Sequence, residues 1–141
     1  MRKPVTDWNK FREGFVRETL RRASFRWPPR GEAVRLARTT RKPNPATGKL
    51  CWHVRCAICG KEMLEREGRV DHVEPVVPVS SMQQSPGNQG TGGSSLNLGS
   101  YVLRMFPEVS GFQVVCSECH DIKTRSENDA RRISRKAGGK G

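Results

Sequence analysis

The sequence predicts a small α+β domain whose sparse core is held together by a metal ion. Three observations carry that expectation. Only 34% of the 141 residues are apolar and 6% aromatic, and folds with thin cores commonly rely on disulfides or a bound metal. Four of the five cysteines fall into two C-x2-C pairs, Cys56/Cys59 and Cys116/Cys119. Around those pairs, short runs such as Arg69-Val70-Asp71-His72-Val73 and Gly111-Phe112-Gln113-Val114-Val115 read as strands, and a polar helical stretch follows from Ser117.

The first element is an amphipathic helix over residues 6–23. Trp8, Phe11, Phe15, Val16 and Leu20 recur at roughly helical spacing, with Lys10, Arg12, Arg17 and Arg21 mostly elsewhere; Thr6 or Asp7 can cap the start. Gly14 weakens this helix by about 1 kcal/mol relative to alanine. Trp27-Pro28-Pro29 then breaks the chain, and Glu32 to Arg38 form a short second helix. Two readings of the segment stand. It is a basic, aromatic arm that contacts nucleic acid, or a helix whose Trp and Phe face covers the thin core. The second is preferred for the aromatics, with the arginines open to both roles.

Residues 40–50 are turn chemistry and read as a link. Residues 80–95, uncharged and rich in Ser, Gln and Gly, read as a flexible insertion; Leu96 to Phe106 hold one or two helical turns. The basic, Gly-rich residues 131–141 read as a disordered tail. The expected organisation is a basic helical extension over residues 1–45, a metal-stapled domain over residues 46–130, and that tail.

Charge narrows the partners. The formal net charge is +12, from 26 Lys and Arg against 14 Asp and Glu spread along the whole chain. That balance favours a polyanion, because each neutralised phosphate releases condensed counterions. No stretch approaches the roughly 20 apolar residues of a membrane span, and no apolar region follows the charged N-terminus as a secretory signal requires.

The cysteine pairs point to zinc. Two residues between cysteines let a tight knuckle aim both sulfurs at one ion, and two knuckles complete a tetrahedral four-thiolate site. Gly60 suits the first turn. With all four positions filled by protein, such a zinc is structural; buried or oxidised thiols are the competing reading. The odd cysteine count argues against a closed disulfide framework and fits a reducing, cytoplasmic setting. Cys51 reads as a partly buried free thiol and His53 as a surface or packing residue.

Asp71, His72 and His120 form the candidate catalytic set. Hairpin, knuckle and helix make a ββα arrangement in which Asp71 and His72 are expected to face His120. A carboxylate and an imidazole can hold one divalent cation and leave positions for phosphate and water. A neutral imidazole can accept a proton from attacking water. Asp71 and His120 are therefore expected to hold the catalytic Mg2+ or another divalent ion, with His72 as general base. Lys123, one turn beyond His120, is expected to grip a phosphate.

At Cys56-x2-Cys59, Val70-Asp71-His72-Val73-Glu74-Pro75-Val76-Val77 and Phe112-Gln113-Val114-Val115-Cys116-x2-Cys119-His120-x2-Lys123-Thr124-x2-Glu127, the chain resembles the HNH endonucleases, in particular the short ones of tailed bacteriophages. Leu20-Arg21-Arg22-Ala23-Ser24-x2-Trp27-Pro28-Pro29 resembles the leader of those phage proteins. The resemblance implies a ββα-metal (His-Me finger, treble-clef-like) fold and hydrolysis of double-stranded DNA with a divalent ion. It also implies a homing or packaging-associated role in a host-cell cytoplasm, with a phage packaging protein as a further partner. Arg21, Arg22, Lys123 and Arg125 are the expected nucleic-acid contacts. One departure stands out: the family's middle asparagine falls at Gly111, and Asn97 is the nearest candidate to replace it. A catalytically weak or inactive zinc module that binds DNA is the alternative function.

Overall fold

The computed structural model describes residues 7–76 and 98–138. The whole of the expected insertion, residues 80–95, and the candidate Asn97 lie outside the described residues. Along the chain run α1 (Trp8–Ser24), α2 (Pro28–Ala37), β1 (Arg38–Pro43), β2 (Leu50–Arg55), β3 (Glu62–Leu64) and β4 (Arg69–His72). After them come α3 (Leu98–Met105), β5 (Phe112–Val115) and α4 (Ser117–Gly138), with single 3-10 turns at Glu65–Glu67 and Val109–Gly111. The mixed α+β class is as expected.

The strands form two antiparallel sheets, β1-β2-β3 and β4-β5. Val54 of β2 and Val115 of β5 are both fully buried at 0% exposure, and Cys56, Met63, Val114 and Cys116 surround them. Two of the four clustered cysteines are thus themselves core residues. Gly68 lets the chain pass close to this core: a Cβ there would lie 2.9 Å from a Val114 methyl and 3.1 Å from a Val54 methyl.

The N-terminal region differs from the expectation in three ways. First, α1 does not cover the core with its aromatics. Trp8, Phe11 and Phe15 are 65%, 51% and 61% exposed and pack on one another, edge-on at 5.8 Å and stacked at 6.4 Å. The helix meets α3, and Ser24 at its C-terminal end is buried. Helical periodicity gave α1 a face but not a surface to cover. Second, α2 begins at Pro28 rather than Glu32. Proline suits a first helical turn, where its missing N–H would have no partner and its φ is already helical. The Trp27 indole donates to the Pro107 carbonyl at 2.6 Å and meets the Phe106 ring edge-on at 5.7 Å. Ala33 is buried, and Val34 and Ala37 pack onto the central cluster.

Third, residues 40–50 are a β-hairpin, not a link. Asn44, buried at the turn, accepts the Ala46 N–H on Oδ1 at 2.9 Å and the Gly48 N–H on its carbonyl at 2.8 Å. Gly48 takes a left-handed φ of +70°, which glycine adopts without a Cβ penalty. The expected boundary between residues 45 and 46 therefore falls inside this turn, with β1 and α2 built into the domain. At the other end α4 continues to Gly138, so residues 131–138 are helical rather than a tail.

Candidate functional site

The four expected zinc ligands meet. Cys56 and Cys59 lie on the knuckle after β2, where Gly60 turns with φ +75° and donates its N–H to the Cys56 carbonyl at 3.0 Å. Cys116 directly follows β5, and Cys119 lies in the first turn of α4. All four sulfurs lie within 4.8 Å of one another. Cys59 and Cys116 are 3.8 Å apart, the edge of a tetrahedron with Zn–S bonds of about 2.3 Å and far beyond a disulfide bond of about 2.05 Å. The donor set fits structural zinc.

Thiol chemistry agrees. Burial pushes the Cys56 thiol up, but backbone hydrogen bonds from Cys59, Cys116 and Ile58 outweigh it and bring the group down to about 6. Its neighbour Cys119 is pushed up to about 12, first by its hydrogen bond to Cys116 and then by burial. Four thiols this close do not all ionise alone, and a bound cation lets them do so together. Among the described residues this is the one group of three or more Cys, His, Asp or Glu ligand atoms brought together. Cys51 and His53 stand apart from it; Cys51 is half-buried, and His53 Nδ1 lies 3.3 Å from the Cys51 carbonyl.

Asp71 and His72 end β4, opposite Gln113 and Phe112 of β5. Successive side chains on a strand point to opposite faces, and their contacts follow that alternation. Asp71 meets α4: its Oδ2 lies 2.7 Å from Lys123 Nζ and 3.4 Å from Gln113 Nε2. The same ammonium donates to the His72 carbonyl at 2.8 Å and pairs with Glu127 at 2.8 Å. Burial lowers the affinity of Lys123 for its proton, but the two carboxylates outweigh burial and raise it. Lys123 is thus expected on a phosphate but found bracing β4 to α4.

The His72 ring packs at 4.9 Å against Phe112, and its Nε2 lies 3.1 Å from the Met105 carbonyl. A carbonyl only accepts, so Nε2 carries a hydrogen, and in the neutral ring the lone pair then lies on Nδ1. Met105 is the last residue of α3, where helix carbonyls lack intrahelical partners. Arg30 of α2 is a second residue that the sequence reading missed. It donates to the Val70 carbonyl at 3.1 Å and lies 5.0 Å from the Phe25 ring and 5.9 Å from the Phe112 ring. Burial lowers its pKa, and the Asp71 charge opposes that shift.

His120 is not joined to this pair. Its Nδ1 lies 3.6 Å from Asp121, and no hydrogen bond or ion pair among the described residues links it to Asp71 or His72. As arranged, Asp71 and His120 are not a ready-made divalent-ion site, because the Lys123 ammonium already neutralises Asp71. Arg21, Arg22 and Arg125 are exposed, with Arg22 paired to Glu18. Gly111 has no room for a side chain: a Cβ there would lie 2.5 Å from Pro107 Cβ. Its carbonyl instead accepts the Val73 N–H at 2.9 Å, tying down the chain just after His72.

No family model, curated protein or solved structure matches the chain. No helix among the described residues is long and apolar enough to cross a membrane.

Proposed function

We propose that this protein is a zinc-stapled DNA endonuclease of the HNH type, with a ββα-metal core made of β4, β5 and α4. The observation that carries the reading is His72. Its ring is held between Phe112 and the Met105 carbonyl, a contact that in the neutral ring leaves the lone pair on Nδ1. A fixed imidazole in that neutral form can take the proton of a water attacking a phosphodiester. The four thiols, clustered beside β5 and α4, supply the rigidity such positioning needs.

A divalent ion on Asp71 and His120 would stabilise charge on the phosphorane and the leaving oxygen. Before such an ion could bind, Lys123 would have to release Asp71, and Glu127 offers the ammonium a second carboxylate at 2.8 Å. Arg30, close enough to feel Asp71, supplies positive charge beside the Val70 carbonyl of β4. The charge of +12 favours a polyanion, and the resemblance implies that it is double-stranded DNA, with a phage packaging protein as a further partner.

A second reading has its own support. Gly111, crowded by Pro107, stands where the family asparagine would be, and Lys123 occupies Asp71. Both features suit a zinc module that binds DNA without cutting it. Nicking of supercoiled plasmid with Mg2+ or Mn2+ at low salt separates the two. Cleavage by the wild type is expected, and His72→Ala should abolish it with zinc content and DNA affinity unchanged. A folded, zinc-loaded wild type that binds DNA and leaves the plasmid intact would decide for the module.

A further inference from the structure

The β1–β2 hairpin has a feature the catalytic reading does not use. Strand β3 pairs with β2 only at His53, Val54 and Arg55, whereas β1 pairs with it as far as Leu50. Beyond Trp52 the hairpin therefore leaves the sheet as a two-stranded arm. The arm is exposed along its length apart from its braced turn at Asn44 and half-buried Cys51. From Arg38 to Lys61 the sequence has six basic residues and no acidic one.

Arg41 and Trp52 are paired across the arm, and the guanidinium sits 5.7 Å from the indole ring, with Arg38 at 5.2 Å. Stacking on an aromatic ring pre-orders an arginine at small entropic cost. Lys42, next in the strand, points to the opposite face, and Lys49 stands beside the turn. Among the described residues Arg41 and Lys49 have no carboxylate partner within ion-pair distance. A two-stranded ribbon is narrow enough for the roughly 12 Å major groove of B-DNA, where phosphates flank it on both sides.

We infer that the β1–β2 arm is a duplex-DNA contact separate from the β4–β5 hairpin, with Arg41 and Lys49 gripping phosphates. The inference rests on the proposed DNA reading and deepens it. It is tested by binding of the full-length protein to a 30-base-pair duplex over a series of salt concentrations, without added divalent ion. Each phosphate contact contributes about 0.9 to the slope of log affinity against log salt. Arg41→Ala/Lys49→Ala should therefore flatten the slope by about 1.8 and weaken binding on the order of 50-fold at 0.1 M salt. Both side chains are exposed, so zinc content and melting temperature should not change.

Arg135→Ala/Lys136→Ala, which removes the same charge from the last turn of α4, should cost far less. Equal losses in the two variants, an arm variant indistinguishable from the wild type, or arm-dependent binding confined to single-stranded DNA would each overturn the inference alone. A wild type that binds no DNA would overturn the endonuclease reading with it.

Discussion

Gly111 shows how one residue can alter a site without touching the reacting groups. Its Cβ position is occupied by Pro107, and its carbonyl holds Val73. Gly111→Ala should destabilise the protein by about 1–3 kcal/mol, the usual cost of overpacking, and Gly111→Asn should do so without raising any cleavage. Gly14→Ala is the comparison: nothing lies within 4 Å of a Cβ there, so it should stabilise α1 by roughly 0.5–1 kcal/mol. Thermal melts of the three variants check the order, and a Gly111→Asn protein as stable as the wild type would remove the steric argument. The family resemblance was enough to single out position 111, but not to reveal the proline against it. The Met105 carbonyl was likewise invisible, because every residue has one and only the folded chain says which faces His72.

Helices and strands differed in how far they could be read in advance. The second strand pair and α4 were legible because β-branched residues and cysteine spacing are local signals. Strand β1 was not: Arg38-Thr39-Thr40-Arg41-Lys42-Pro43 has no apolar alternation, and its pairing with β2 makes it a strand. Cross-strand ties help hold it. Glu62 of β3 accepts from Thr39 at 2.7 Å and pairs with Lys42 at 2.9 Å. The Lys42 hydrogen bond first, and Thr39 second, hold the Glu62 carboxyl down to about 2. A carboxyl lowered on folding adds stability above its unfolded value of about 4.5, and that stability fades as pH falls toward 2. The melting-temperature gap between wild type and Glu62→Gln should thus be steady near neutrality and close between pH 4.5 and 2. A gap that persists unchanged at pH 2 would mean that the ion pair is not its source.

Across the whole molecule, two sheets that share no strand meet at one thiol cluster, with Cys59 and Cys116 separated by 57 residues. Structural zinc contributes on the order of 10 kcal/mol in small domains, which exceeds what a core this thin can spare. Chelation, or Cys116→Ser, should abolish the cooperative melt and with it the packing of β5 on α2. An unaltered melting curve in Cys116→Ser would remove zinc from the account. The cysteine pairs were the most legible feature of the chain because two-residue spacing is itself a ligand geometry. What they could not tell was that Cys56 and Cys116 also serve as core residues.

That arrangement also sets a timetable for the nascent chain. At about 5–20 residues per second, a ribosome that has just added Cys59 needs several seconds more to reach Cys116. Until then a metal ion would find only two of the four thiols, and Val54 waits for Val115. Folding of this domain is therefore postponed until most of it has been synthesised, however early its first helices form.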